Sequence, residues 1–220
     1  MNSDGNILET TDGGQSWTTR FSAPAVYLRC VGFANASKGW VGTLSRNRRL
    51  LQTTDGGSTW INVTRLPANA PVAVCGLSVV SSQIVYASGT NRPNDFPRMM
   101  KTVDGGATWT AWDMSAHASI LIDTFFTDAL HGWVVGGKAD EPTPTTRDKV
   151  KPVVLETADG GVTWINRLAG REAEFPFGEW GWKIQFLDER IGFVSLENFS
   201  AAAILKTDDG GKNLAADRHQ

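Results

Sequence analysis

Apolar and polar positions alternate along the chain in short runs, and these runs recur at a regular spacing. In one recurring segment an aromatic residue is followed seven positions later by a second one. The clear copies are Phe33 with Trp40, Phe126 with Trp133 and Phe186 with Phe193, and Leu77 with Ile84 is a weaker copy. Each copy predicts two short strands joined by a tight polar turn, because alternating apolar residues bounded by turn-forming residues are typical of a β-hairpin.

A second recurring segment reads Thr-x-Asp-Gly-Gly-x-Thr/Ser-Trp, as in "TTDGGQSW". We call these segments DGG boxes; they occupy 9–17, 52–60, 101–109, 156–164 and 206–214, the last with Leu in place of Trp. Their Asp and Trp residues are Asp12, Trp17, Asp55, Trp60, Asp104, Trp109, Asp159, Trp164 and Asp209. An Asp side chain bonds nearby backbone N–H groups and Gly tolerates positive φ, so each box predicts a structural hairpin rather than a metal-binding or catalytic carboxylate.

An apolar run precedes each box and a further run follows most of them, which gives a unit of four antiparallel strands and about 45–50 residues. This length is close to one blade of a β-propeller. The aromatic pair always spans seven positions and the Asp-to-Trp interval is always five, whereas the connections between strands two and three and between blades vary. Those two variable connections emerge on the same side of a blade, so the spacing predicts a functional loop face opposite the DGG boxes.

The segments "TTDGGQSW", "TTDGGSTW", "TVDGGATW" and "TADGGVTW" resemble the bacterial neuraminidase repeat, or Asp-box, of β-propellers. With the "GWVG" and "GWVVG" strands, the chain looks most like the photosystem II stability/assembly factor family and its bacterial relatives. The resemblance implies a propeller without a cofactor that binds protein or peptide partners on its loop face. It also implies an extracytoplasmic location, either periplasmic or secreted.

We therefore predict an all-β fold: a β-propeller of four-stranded antiparallel blades, with an Asp-box hairpin between strands three and four. Four blade cores and five boxes predict an arc of four to four and a half blades from a seven-bladed propeller. A compact four-bladed ring with an appended hairpin is the alternative. The predicted units are a half blade at 1–20 and blades at 25–65, 72–113, 118–168 and 175–214, the last without an apolar fourth strand.

Composition excludes several classes of function. Lys and Arg number 21 against 23 Asp and Glu, which does not favour nucleic-acid binding, and no apolar run is long enough for a membrane span. The two cysteines, Cys30 and Cys75, predict buried free thiols rather than a metal site. Three histidines, His117, His131 and His219, lack the spacing of ligands, so no metal is predicted.

Two groups of residues are candidates for partner binding on the loop face. Arg46, Arg48 and Arg49 lie between strands two and three, and Arg92 and Arg98 occupy the equivalent segment of the next blade. Such a basic patch suits an acidic peptide or a carboxylate, although a solvated turn would have the same composition. Trp180 and Trp182, in the long connection "REAEFPFGEWGWKIQF", either form an exposed surface for a protein or carbohydrate or simply begin an inner strand and pack. The charged insertion 138–152 predicts a mobile loop.

The catalytic alternative is a glycoside hydrolase, because sialidases share the Asp-box. A sialidase-like site needs a Tyr assisted by Glu, and neither Tyr27 nor Tyr86 has a nearby Glu in the sequence. A two-carboxylate propeller glycosidase would draw on the acidic residues of the loop face, and the spacing selects no pair among them. These are Asp95, Asp113, Glu172, Glu174, Glu179 and Glu197. The sequence therefore favours a non-catalytic binding scaffold.

Overall fold

The computed structural model describes residues 4–90, 95–141, 145–200 and 202–219, with the side chains at 218 and 219 left out. Predictions for Arg92 and for the His219 side chain lie outside the described residues. The strands are β1 (Asn6–Glu9), β2 (Thr18–Ser22), β3 (Leu28–Phe33), β4 (Gly39–Thr43), β5 (Leu50–Thr53), β6 (Ile61–Asn62), β7 (Gly76–Val79), β8 (Val85–Gly89), β9 (Arg98–Thr102), β10 (Thr110–Asp113), β11 (Ile120–Phe126), β12 (Gly132–Lys138), β13 (Lys151–Thr157), β14 (Ile165–Asn166), β15 (Trp180–Phe186), β16 (Gly192–Glu197), β17 (Ala202–Thr207) and β18 (Ala215–His219). Short 3-10 turns lie at Arg147–Lys149 and Glu172–Glu174.

Within the described residues, β3 to β18 form four antiparallel sheets of four strands each, and β1 with β2 forms a two-stranded sheet. In every sheet each strand lies beside its neighbour in the chain, which is the up-and-down order of a propeller blade. The DGG boxes connect the third strand to the fourth strand of each blade, and the first box connects β1 to β2. The predicted all-β propeller with four-stranded blades is confirmed.

The last blade was predicted without an apolar fourth strand. The structure has a fourth strand there, β18, whose residues are small or polar and which pairs with β17 because the ladder bonds come from the backbone. One detail of the prediction was wrong. In the second blade the first strand was misaligned by two residues. Val79, not Leu77, takes the position of Phe33, and Tyr86 takes that of Trp40, because Val79 pairs with Val85 as Phe33 pairs with Gly39.

The DGG boxes share one hydrogen-bond pattern, which the box between β9 and β10 illustrates. The Thr102 hydroxyl donates to Asp104 Oδ1 at 2.8 Å and accepts the Gly106 N–H at 2.8 Å. Asp104 Oδ1 accepts the Thr108 N–H at 2.9 Å, and Oδ2 accepts the Thr108 hydroxyl at 2.6 Å. These bonds lower the pKa of Asp104 to about 2, chiefly through the hydroxyl and N–H of Thr108. The carboxylate is fully engaged in holding the turn.

Each of the last four boxes also contacts the turn between strands one and two of its own blade. Gly56 N–H donates to Ser37 O at 2.8 Å, and Gly160 N–H donates to Leu130 O at 2.8 Å. The same bond recurs in the blades of β7–β10 and β15–β18. The two short turns of a blade therefore lie on one side, which we call the box face, and the longer connections lie on the other, the loop face.

Neighbouring blades pack through an aromatic ring on the second strand. Tyr86 stacks on Phe126 of the following blade with 3.5 Å between ring centroids, and Trp133 stacks on Phe186 at 4.1 Å. The same rings lie against the glycines of the following box. A Cβ on Gly211 would come within 2.8 Å of Trp133 Nε1, so this glycine is required by close packing as well as by its φ of +88°.

Candidate functional site

The connections that carry the candidate arginines of the first two blades meet on the loop face through one ion pair. Arg46 Nη2 contacts both carboxylate oxygens of Asp95, at 2.6 and 2.9 Å, and so joins the β4–β5 connection to the β8–β9 connection. The Arg46 side chain is 60% exposed despite this contact. Arg48 is exposed and Arg98 is half-buried, and neither has an ion-pair partner among the described residues. We call Arg46, Arg48, Arg49 and Arg98 the basic cluster.

Arg49 has a structural role within this cluster. Its Nη1 donates to Ala70 O at 3.4 Å and to Pro71 O at 3.3 Å, so the side chain supports the connection between the first and second blades. Arg46 and Arg48 are therefore the members whose removal tests binding with the least disturbance of the fold. Asp95 compensates one positive charge, which leaves the cluster with an excess of positive charge toward solvent.

Trp180 does not form an exposed binding surface. Its side chain is fully buried with Ile120, Ile122 and Val150, and the Arg147 guanidinium lies 5.0 Å from its ring. Of the two predicted alternatives, the structure shows the one in which Trp180 begins an inner strand and packs. The connection before it leaves one ring exposed, because Phe177 is 61% exposed whereas Phe175 is only 3% exposed.

Trp182 lies at the propeller axis rather than on the loop surface. The Arg29 guanidinium stacks over its ring at 3.9 Å, which brings the first inner strand, β3, against the last one, β15. Arg29 is 2% exposed, and its Nε and Nη2 have no hydrogen-bond partner among the described residues. The residues at this level of β3 and β15 lie in β-bulges, where the strand register shifts. No local pattern in the sequence signals this long-range contact.

The two thiols also lie near the axis, and both are free. Burial raises the pKa of Cys75 to about 12 and raises that of Cys30 as well. On the neighbouring inner strands, Lys183 Nζ lies 3.4 Å from Asp123 Oδ1. Burial raises the pKa of Asp123, and the charge of Lys183 opposes that shift. The Asp123 side chain is largely buried and that of Lys183 is partly exposed. Sequence reasoning did not single out this ion pair, because its two residues lie on different blades.

A cavity of about 730 Å³ opens beside these groups, between β1, β3 and β15. Its charged lining is almost balanced, because Arg20 pairs with Glu9 at 2.7 Å and Lys183 pairs with Asp123. The apolar part of the lining comes from Ile7, Leu28, Val31, Phe33, Val41 and Trp60. This cavity was not predicted either, since it depends on how the two-stranded sheet lies against the first blade.

Four of the six candidate carboxylates of the loop face are held by separate partners. Asp95 pairs with Arg46, Asp113 accepts the Ser115 N–H, and Glu174 pairs with Arg171. Glu172 accepts the Gly170 N–H, Glu179 is fully buried, and Glu197 Oε2 is buried without a hydrogen-bond partner among the described residues. The Tyr86 hydroxyl donates to Ala129 O on the box face at 2.7 Å. This geometry gives no support to a tyrosine nucleophile at that position.

Over the described ranges, no group of three or more His, Cys, Asp or Glu side chains is placed to hold a metal ion. Nor does the described part of the chain contain a helix long and apolar enough to cross a membrane.

Comparison with known families adds to this geometry. The family model of the photosynthesis system II assembly factor YCF48 matches residues 1–116. The chain belongs to this family. No protein with curated function matches it by sequence.

Solved structures agree on the fold of this YCF48-family chain. YCF48 from Cyanidioschyzon merolae is 17% identical with a TM-score of 0.56, and the match covers 97% of this chain and 66% of that one. A GH74 xyloglucanase from Xanthomonas campestris is 13% identical with a TM-score of 0.62, covering 96% of this chain and 34% of the enzyme. A YCF48 described as bound to D1 peptide is 14% identical with a TM-score of 0.47, covering 87% and 81%, too loose a match for comparing residues. At these identities the comparisons establish the propeller fold. This chain spans about two thirds of the length of the first of these structures.

Proposed function

We propose that this YCF48-family chain is a non-catalytic β-propeller scaffold that binds a protein or peptide partner on its loop face. The observation that carries the proposal is the basic cluster, in which side chains from two blades are brought together by the contact between Arg46 and Asp95. The family's description as an assembly factor supports a role in binding other proteins.

The difference in structure between the two faces also supports binding of the partner at the loop face. The box face is occupied by turns that bond to each other and to their own carboxylates, as in the box of Asp104. The loop face carries the connections that vary in length, and its guanidinium groups suit bidentate pairing with carboxylates. We therefore propose that the partner presents an acidic segment or a chain-terminal carboxylate to this cluster.

The test is a quantitative pull-down from native extract with three immobilised proteins: wild type, Arg46→Ala/Arg48→Ala and Lys206→Ala/Lys212→Ala. The last variant removes two exposed positive charges from the final blade and matches the first in net charge. Partners of the wild type should be lost with the arginine variant, retained with the lysine variant, and released by salt, because exposed charge pairs are screened. The same partners on all three proteins would contradict the proposal.

A further inference from the structure

One charged side chain at the propeller axis lacks a counterion. Arg29 is 2% exposed, and its Nε and Nη2 have no hydrogen-bond partner among the described residues. The ring of Trp182, 3.9 Å away, covers one face of the guanidinium but accepts neither of these N–H groups. A charge removed from water without a partner is costly, so buried charges are normally paired. The structure therefore leaves an acceptor missing at this point.

The two unpartnered nitrogens form a single edge of the guanidinium. The N–H bonds of Nε and Nη2 point in the same direction and together suit a group with two oxygens. Arg171 uses this edge elsewhere in the protein, where its Nε donates to Glu174 Oε1 at 2.8 Å and its Nη2 donates to Oε2 at 2.5 Å. The group that fits the same edge of Arg29 is therefore an oxyanion.

A β-bulge directs Arg29 toward the last inner strand. The register of β3 against β4 shifts between Leu28 and Cys30, and the same shift occurs around Ile122 in β11 and around Trp182 in β15. Bulges re-aim a side chain, and at the two other bulges that side chain is apolar and packs into one cluster. An arginine in the equivalent place destabilises the fold unless an anion compensates its charge.

The one carboxylate of the inner strands is already engaged. Asp123 is the only acidic residue in β3, β7, β11 and β15. Its Oδ1 lies 3.4 Å from Lys183 Nζ, and its Oδ2 accepts a backbone N–H of β15 at 3.3 Å. Asp123 and Lys183 thus balance each other, and among the described residues the charge of Arg29 remains without compensation.

The surroundings of Arg29 limit the size of the ligand. Arg29 and Lys183 line the cavity of about 730 Å³, which gives a ligand a path to the guanidinium. The side chains that form the site lie on β3, β11 and β15, which belong to complete four-stranded sheets. Because the guanidinium is almost completely buried and already joins β3 to β15 through Trp182, we expect a small ion rather than a further polypeptide segment.

We propose that Arg29 binds a small inorganic oxyanion, of the size of phosphate or sulfate, through its Nε and Nη2 at the propeller axis. Lys183, on the wall of the same cavity, supplies a second positive charge. The bound anion neutralises the buried guanidinium and stabilises the contact between the first and last inner strands. This site goes beyond the proposed function, because the basic cluster lies in the loop-face connections and takes no part in it.

The test is titration calorimetry with inorganic phosphate at fixed pH and ionic strength. The wild type should bind a single phosphate, and Arg29→Gln should weaken binding at least about tenfold. Arg29→Lys keeps the charge but loses the two-pronged edge, so it should also weaken binding at least about tenfold. Arg20→Gln is the matched control, because it removes one charge from the lining of the same cavity, where Arg20 pairs with Glu9. This control and Arg46→Ala/Arg48→Ala should bind as the wild type does.

Thermal unfolding gives a readout with the opposite sign in the absence of the anion. In chloride buffer, Arg29→Met should be at least as stable as the wild type, because an apolar side chain replaces a buried unpaired charge. Phosphate should raise the unfolding temperature of the wild type, as a ligand that binds only the folded state does, and should leave that of Arg29→Met unchanged.

Nitrogen–proton NMR locates the anion. The Nε–H resonance of Arg29, identified by its absence from Arg29→Gln, should shift on addition of phosphate or sulfate. Tighter binding of acetate than of either would overturn the proposal in favour of a carboxylate from a polypeptide. Absence of phosphate binding, equal binding by Arg29→Gln, an unmoved Nε–H resonance, or a lower stability of Arg29→Met in chloride buffer would each overturn it as well.

Discussion

At the scale of the residue, the Asp of each DGG box acts as a turn-forming group. Its two oxygens accept a backbone N–H and a hydroxyl from the residue four positions later, and in the last box Asn213 supplies both donors. The pKa values of Asp55, Asp104, Asp159 and Asp209 fall to about 2, and that of Asp12 falls as well, because these donors favour the ionised form. Charge here is used to hold backbone geometry.

These low pKa values predict a specific loss of stability in acid. The folded pKa of Asp104, about 2, lies below its ordinary value of 3.8, so the ionised carboxylate stabilises the fold fully above that ordinary value. Its contribution is lost as the pH falls from about 4 to about 2. We expect Asp104→Asn to lower the free energy of unfolding at neutral pH, by an amount that shrinks over this range. Urea unfolding followed by tryptophan fluorescence measures the difference, and a difference independent of pH would contradict it.

Substitution of the second glycine of a DGG box by Ala is expected to destabilise the fold for two separate reasons, backbone strain and loss of ring packing. Gly57 has φ +93° with its nearest neighbour at 3.6 Å from a Cβ, whereas Gly211 has φ +88° with Trp133 Nε1 at 2.8 Å. Gly57→Ala should cost about 1–2 kcal/mol of backbone strain alone. Gly211→Ala should cost about 1 kcal/mol more, because Trp133 is stacked on Phe186 and has to shift. Equal losses in thermal unfolding would show that ring packing is not what restricts this position.

At the scale of the element, each blade depends on its predecessor for the burial of its first strand. The last residue of β11 stacks against a ring from β8, and the last residue of β15 stacks against a ring from β12. The last residue of β3, Phe33, is exposed. Stability is thus shared across blade boundaries, as expected for repeat proteins whose units contact their neighbours.

This arrangement predicts unequal effects of the same substitution at equivalent positions. Phe126→Ala removes a side chain that is 5% exposed and should cost about 3–5 kcal/mol. Phe33→Ala removes one that is 43% exposed and should cost less than about 2 kcal/mol. Chemical denaturation of the two variants provides the comparison. Similar losses would mean that Phe33 is covered in solution.

At the scale of the whole molecule, local chemistry was predictable and long-range contact was not. The DGG boxes and the alternation of strands identify the blades because turn residues and side-chain period are local properties. The second blade was misaligned because Val79 replaces the expected aromatic. Trp180 was an ambiguous candidate until its neighbours Ile120 and Val150, from a different blade, were placed around it. The stacking of Arg29 on Trp182 joins strands about 150 residues apart and leaves no periodic signal.

Closure of the axis by these residues predicts an unreactive thiol. Cys75 is fully buried, and burial raises its pKa to about 12, so very little thiolate exists near neutral pH. In a Cys30→Ser variant, we expect a chromogenic disulfide reagent to label Cys75 only after urea unfolds the protein. Rapid labelling of the native variant would show that the axis is open to small molecules.

The ring-over-glycine contact has a consequence for how such a chain grows by duplication. The ring belongs to one blade and the glycine to the next, so an inserted blade keeps every contact only when it brings a ring for its successor and a glycine for its predecessor. Any cut at equivalent points of two blades meets that condition, including cuts in the middle of a sheet. The junction between two blades, rather than the blade itself, is then the unit that a duplication has to preserve.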